Sequence, residues 1–213
     1  MSEKMLLFLT FLIFYLSLAY FTRGLFKIQF HSIVHCINAV LLSSYFYYFS
    51  NISLISINVI KQMNFVYNDF LYICASNSNG YFVADSIDIF LDNKNIKRKV
   101  YIRHHIMAIL GISTVYLGDN KFILAIWCLE IGGILHHIKY MSEVYSFNYF
   151  FRIFITSLYF LIYPISRLYF ILNVFQGLYD NLTFINLINT SVSTMLFLQN
   201  VIWLFRNFKN LKI

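Results

Sequence analysis

Charge is what this sequence has least of. Only 12% of its 213 residues are Asp, Glu, Lys or Arg, where an average soluble domain carries about 25%. Hydrophobic residues make up 60% of the chain, and the mean hydropathy is +0.67. Too few polar side chains remain to cover an apolar core of that size. A disordered chain and an ordinary soluble domain are excluded, and lipid must be part of the solvent. Proline occurs once and glycine seven times, so turns have little punctuation. The three cysteines, Cys36, Cys74 and Cys128, lie inside apolar segments without a C-x-x-C partner. Neither a disulfide framework nor a zinc site is suggested by them. Long polar segments are also missing, so no soluble domain is expected to fold by itself.

What is present is a series of apolar stretches. A bilayer core takes about 20 apolar residues per helix. Residues 5–21, 32–50, 70–91, 101–118, 121–138, 149–175 and 184–205 fit that length. The expected fold class is therefore all-α, a polytopic transmembrane bundle of about seven spans. The fourth and fifth spans are separated by Gly118-Asp119-Asn120-Lys121 and are expected to form an antiparallel hairpin. The first span reads as an uncleaved anchor, because no clean A-x-A site follows it.

The net charge is +7, and its distribution orients the spans. Lys4, Lys61 and Lys121 fall on one side. Arg23, Lys27, Lys94, Lys97, Arg98, Lys99, Arg103, Lys139, Arg152, Arg206, Lys209 and Lys212 fall on the other. The positive-inside rule then makes the N-terminus lumenal and the C-terminus cytoplasmic. The sequons at Asn51 and Asn181 fall on the lumenal side. No basic run is interleaved with aromatics on a soluble module, so nucleic acid is not an expected partner.

An ionisable side chain at mid-bilayer costs at least ~2.5 kcal/mol on insertion scales. This chain places His35, Asp85, Asp88, His104, His105, Glu130, His136, His137 and Arg167 in or beside its spans. They imply a shared polar cavity or mutual pairing. In the third span Cys74, Ser78, Tyr81, Asp85, Asp88 and Asp92 follow steps of three and four, one helical stripe. Ile73, Phe82, Ile89 and Phe90 lie opposite, which reads as a lipid-facing helix with a polar inner face. His104 and His105 point about 100° apart, so at most one faces the cavity centre. An imidazole beside an aspartate is a competent general base. Glu130 and His137 share a face of the fifth span and could pair through a neighbour. Arg167 reads as an internal counter-charge for one of the acids. His31 and His35 have H-x-x-x-H spacing, but the H-x-x-H-H element of di-iron membrane enzymes is missing. No metal is expected.

Taken in order, these residues resemble the TLC-domain family, which includes ceramide synthases, translocating-chain-associating proteins and TLC-domain-containing lipid-regulating proteins. The similarity is greatest to the last group. Asn79-Gly80-Tyr81-Phe82-Val83-Ala84-Asp85, then Asp88, then His104-His105 is similar to the family's S-x-G-Y-F-x-x-D…D…H-H pattern. Ser32-Ile33-Val34-His35 resembles its earlier S-x-x-H element. Leu129-Glu130-Ile131 resembles the L-E-x-S-T-P-F-x-N element of the lipid-regulating members, with Gly132, Ile134 and His137 in place of Ser, Pro and Asn. Arg167 resembles the arginine of their penultimate span. Ceramide synthases carry H-D-x-x-D where this chain has Leu129-Glu130-Ile131-Gly132-Gly133, so the second acidic pair is absent.

The resemblance implies a six-helix TLC domain over residues 30–206 around a polar cavity. An extra helix and loop precede it at 1–29, and a basic cytoplasmic tail follows at 207–213. It implies an endomembrane protein, in the endoplasmic reticulum or a related membrane, that handles lipids or regulates membrane lipid composition. Membrane lipids are the implied partners, with a second copy of the chain as a further one. In the catalytic version, an acyl-CoA-dependent N-acyltransferase, His104 or His105 is base or transient acyl acceptor and Asp85 and Asp88 orient it. His35, Tyr81, Glu130, His137 and Arg167 then line the substrate site. No resident cofactor is implied; acyl-CoA would be a co-substrate. The non-catalytic version is a cargo receptor or translocon-associated protein. Lys209 and Lys212 do not have dilysine retrieval spacing.

Overall fold

The computed structural model describes residues 3–22, 30–49, 64–91, 98–117, 121–180 and 182–209. The described residues are all-helical: α1 (Glu3–Thr22), α2 (Phe30–Phe49), α3 (Asn64–Leu91), α4 (Arg98–Ser113), α5 (Lys121–Val144), α6 (Tyr149–Asp180) and α7 (Phe184–Lys209). Within the described residues each of the seven apolar stretches lies on one of these helices, the fourth running on into the 3₁₀ turn Thr114–Leu117. Three of them, α1, α6 and α7, are long and apolar enough to cross a membrane. The sequons at Asn51 and Asn181, Asp92, the turn at 118–120, and Arg23, Lys27, Lys61, Lys94, Lys97 and Lys212 lie outside the described residues.

Two helices depart from ideal geometry. The 16 residues of α4 cover about 24 Å at 1.5 Å per residue. A 3₁₀ turn, Thr114–Leu117, adds about 8 Å at its steeper rise, which brings the segment to a bilayer core's thickness of about 30 Å. Pro164 lies inside α6 and removes one ladder donor. Gly132 of α5 packs there. A Cβ on it would come within 2.7 Å of Arg167 Nη1 and 3.2 Å of the Tyr163 ring.

Six helices close into a ring in the order α2, α3, α4, α7, α6, α5, and α1 packs outside it, mainly on α3. Side-chain pairs give the directions. His31 meets Asp85 and Ser32 meets Tyr81, so α2 and α3 are antiparallel. Ser86 meets His105 and Asn79 meets Ser113, so α3 and α4 are antiparallel. Thr114 meets Asn189 while His104 meets Trp203, which reverses α7 against α4. Tyr163 meets Asn200 and Tyr159 meets Asn207, which reverses α6 against α7. Leu129 meets Arg167 and His136 meets Tyr159, which reverses α5 against α6. Lys4 lies over Tyr72 and Phe11 against Gly80, so α1 runs parallel to α3. Consecutive helices therefore alternate in direction along the chain.

Two expectations from the sequence need correction. Among its described side chains, the third helix faces outward only near its end, at Ile87, Phe90 and Leu91. Residues 74–82 are buried on every side, and Phe82 and Ile89 of its supposed outer face are buried too. Small residues cause this: at Gly80 a Cβ would sit 2.8 Å from Phe11 Cβ and 2.9 Å from the Leu12 nitrogen. That close approach lets α1 cover α3, as small residues do in membrane bundles. Nor do α4 and α5 pair as a hairpin. They barely touch; α5 packs on α2 and α6, and α4 on α3 and α7. The polar tie from Thr114 to Asn189 (2.9 Å) holds α4 to α7. Gly133, 3.1 Å from Cys36 Sγ when given a Cβ, seats α5 on α2.

Candidate functional site

Asp85 is the centre of the polar interior. It lies less than two turns before the end of α3, and helical periodicity turns it toward the ring with Tyr81, one turn earlier. One carboxylate oxygen, Oδ1, accepts from His31 Nε2 at 2.8 Å. The other, Oδ2, lies 3.3 Å from His105 Nε2 and 3.4 Å from the Tyr81 hydroxyl, whose single proton goes either to it or to Ser32 Oγ at 2.9 Å. All of these side chains are buried. Three helices thus converge on one carboxylate, at the end of the ring where α2 and α4 begin and α3 ends.

His105 is held from both sides. Ser86 Oγ lies 3.1 Å from its Nδ1 and also donates to the Phe82 carbonyl at 2.7 Å. A rotation of that hydroxyl exchanges the carbonyl for the imidazole. The Ser86–His105–Asp85 series is then a hydroxyl, a base and an orienting acid, the parts list of a nucleophile relay. His104 goes elsewhere, against the indole of Trp203 on α7 with ring centroids 5.1 Å apart. Of the histidine pair, only His105 reaches the cluster.

Asp88 sits one turn beyond Asp85 and is half-buried. It opens on a groove of about 440 Å³ between α1 and α3, lined by Leu16, Tyr20, Phe21, Ile87 and Leu91. His31, Asp85 and Asp88 offer ligand atoms all within 4.8 Å of one another, so this trio could hold a cation.

A second layer lies deeper in the ring. His35 is stacked on Tyr81, centroids 3.9 Å apart and 6° from parallel. Its Nε2 lies 3.6 Å from Glu130 Oε1, too long for a hydrogen bond, and neither ring nitrogen has a hydrogen-bond partner among the described residues. Tyr15 of α1 closes this layer, donating to Asn77 Oδ1 at 2.7 Å. Arg167 Nη1 donates to the carbonyl of Leu129, the residue before Glu130, and the guanidinium lies over the Tyr163 ring at 4.2 Å. Glu130 turns toward His35, and His137 makes its ring contact with His136 instead (5.7 Å). Ser43, Asn77, Ser78 and Ser193 add further buried polar atoms with no partner among the described residues.

Two residues that matter here escaped sequence reasoning. The H-x-x-x-H spacing of His31 points only toward a di-iron pattern, yet its position four before His35 places both on one face of α2. Ser86 carried no signal beyond standing next to Asp85. No protein-family model matches the chain, and no curated protein is significantly similar to it.

Proposed function

We propose that this chain is an integral multi-pass membrane protein of the TLC class that handles membrane lipid. In this reading the lipid's polar end sits against the Asp85–His31–His105 cluster and its chain lies among the apolar helices. The observation that carries the reading is that cluster itself. A carboxylate and two imidazoles, buried together inside a helix ring, mark a binding or reaction site in a membrane protein more readily than a structural pair.

Three further features support it. Seven helices alternate in direction, as successive crossings require. One helix stands outside a ring of six, the count that the family resemblance implies. The cluster lies at the end of the ring that carries Arg103, Lys139, Arg152, Arg206 and Lys209, the cytoplasmic end under the positive-inside rule. That rule gives a lumenal N-terminus and a cytoplasmic C-terminus, and the family resemblance adds an endomembrane such as the endoplasmic reticulum.

The Ser86–His105–Asp85 contacts favour a second, catalytic reading: acyl transfer from acyl-CoA, with His105 as base. Comparative lipidomics of cells carrying the wild type or His105→Ala tests both. Catalysis predicts loss of one lipid product at normal protein abundance. Lipid handling without chemistry predicts a shifted composition with no product lost. An unchanged lipidome at normal abundance sinks both.

A further inference from the structure

Two carboxylates, Asp85 and Asp88, stand one turn apart on α3, and one imidazole, His31, reaches them from α2. Two carboxylate oxygens and one imidazole nitrogen, from two different helices, lie within 4.8 Å of one another. We propose that His31, Asp85 and Asp88 form a mononuclear site for a divalent metal ion of the zinc class.

The donor set is one imidazole nitrogen and two carboxylate oxygens, with no thiolate. That set suits Zn²⁺ and its neighbours, with a fourth position left for water or a ligand oxygen. The two free cysteines among the described residues, Cys36 and Cys74, take no part. Two ligands on one tetrahedral zinc stand ~3.4 Å apart at bond lengths of ~2.1 Å. His31 Nε2 and Asp85 Oδ1 are 2.8 Å apart, so an ion enters between them on a small opening of that contact. The surroundings supply what a metal site needs beyond its ligands. The other Asp85 oxygen is held by His105 and Tyr81, which fixes the plane of the carboxylate. The groove between α1 and α3 ends on Asp88 and is the way in. An expectation of no metal follows from the missing di-iron histidine pattern, but a mononuclear site needs no such pattern. The fold, not the spacing, brings His31 to the two acids.

The site shares His31 and Asp85 with the cluster assigned to the lipid's polar end, but it rests on its own geometry and not on the lipid reading. The test uses the full chain in detergent, stripped with a chelator and titrated with Zn²⁺ and separately with Co²⁺. The expected result is one ion per chain, a Co²⁺ visible spectrum of low-coordinate type, and a rise in thermal midpoint with Zn²⁺. Asp88→Asn and His31→Gln should each weaken binding roughly tenfold or more. His136→Gln, at an exposed histidine, should leave it unchanged. A stripped wild type that takes up no ion overturns the site, whatever the variants do. So does equal binding by the wild type, Asp88→Asn and His31→Gln. Lipid copurification measured on the same preparation reads the functional proposal separately.

Discussion

Replacing Asp85 by Asn tests whether the carboxylate organises the interior. The side chain keeps its volume, so no cavity forms and the loss is electrostatic. The 2.8 Å contact from His31 is a hydrogen bond to a charged group, about 1.5–3 kcal/mol. The contacts from His105 at 3.3 Å and Tyr81 at 3.4 Å are longer, and each is placed at the low end for a hydrogen bond, about 0.5 kcal/mol. The asparagine amide also turns a donor toward a group that donates. A destabilisation of about 2.5–4 kcal/mol follows, in the range of breaking other buried charged pairs. Equilibrium unfolding in a mixed-micelle denaturant series measures it. A double-mutant cycle with His31→Ala should return a coupling of about 1.5–3 kcal/mol. A coupling below about 0.5 kcal/mol, or an Asp85→Asn variant as stable as the wild type, refutes the claim that Asp85 holds these helices together.

Three other outcomes follow from the packing. Gly80→Leu drives a side chain into Phe11 and Leu12 and should cost about 1–3 kcal/mol; a wild-type unfolding midpoint would show that α1 does not dock there. Tyr81→Phe keeps the stack on His35 but loses the hydroxyl bonds to Ser32 and Asp85, so it should cost about 1 kcal/mol, and Tyr81→Leu clearly more. In microsomes, Asn51 should acquire a glycan and a C-terminal epitope should stay open to protease; the reverse pattern inverts the orientation.

The helices were legible because lipid demands length. Twenty apolar residues in a row are hard to read as anything else; the described parts of the seven stretches are helical, and three of the helices are long and apolar enough to cross a membrane. The stripe on α3 was legible for a similar reason, since a 3.6-residue period assigns residues to faces. A period does not say which neighbour covers which face. The period alone makes one whole face of α3 lipid-facing, whereas Gly80 admits α1, Phe82 and Ile89 are buried, and Ile87, Phe90 and Leu91 near the helix end stay exposed. Chain proximity misled in the same way for α4 and α5, whose partners are set by Thr114–Asn189 and Gly133 rather than by the short turn between them. At the site, Asp85 meets His105 and Tyr81, and His35 stacks on Tyr81. The choice of His105 over His104 needed the position of Trp203. His31 needed the register between α2 and α3, which no single-helix pattern contains.

The central claim is that the Asp85 cluster receives the polar end of a membrane lipid. Mass spectrometry of lipid bound to the purified full chain tests it most directly, comparing the wild type with His105→Ala at equal abundance and equal unfolding midpoint. The account predicts a defined lipid class on the wild type that is depleted on the variant. Identical bound lipid on both, or none above that held by an unrelated membrane protein in the same detergent, contradicts it.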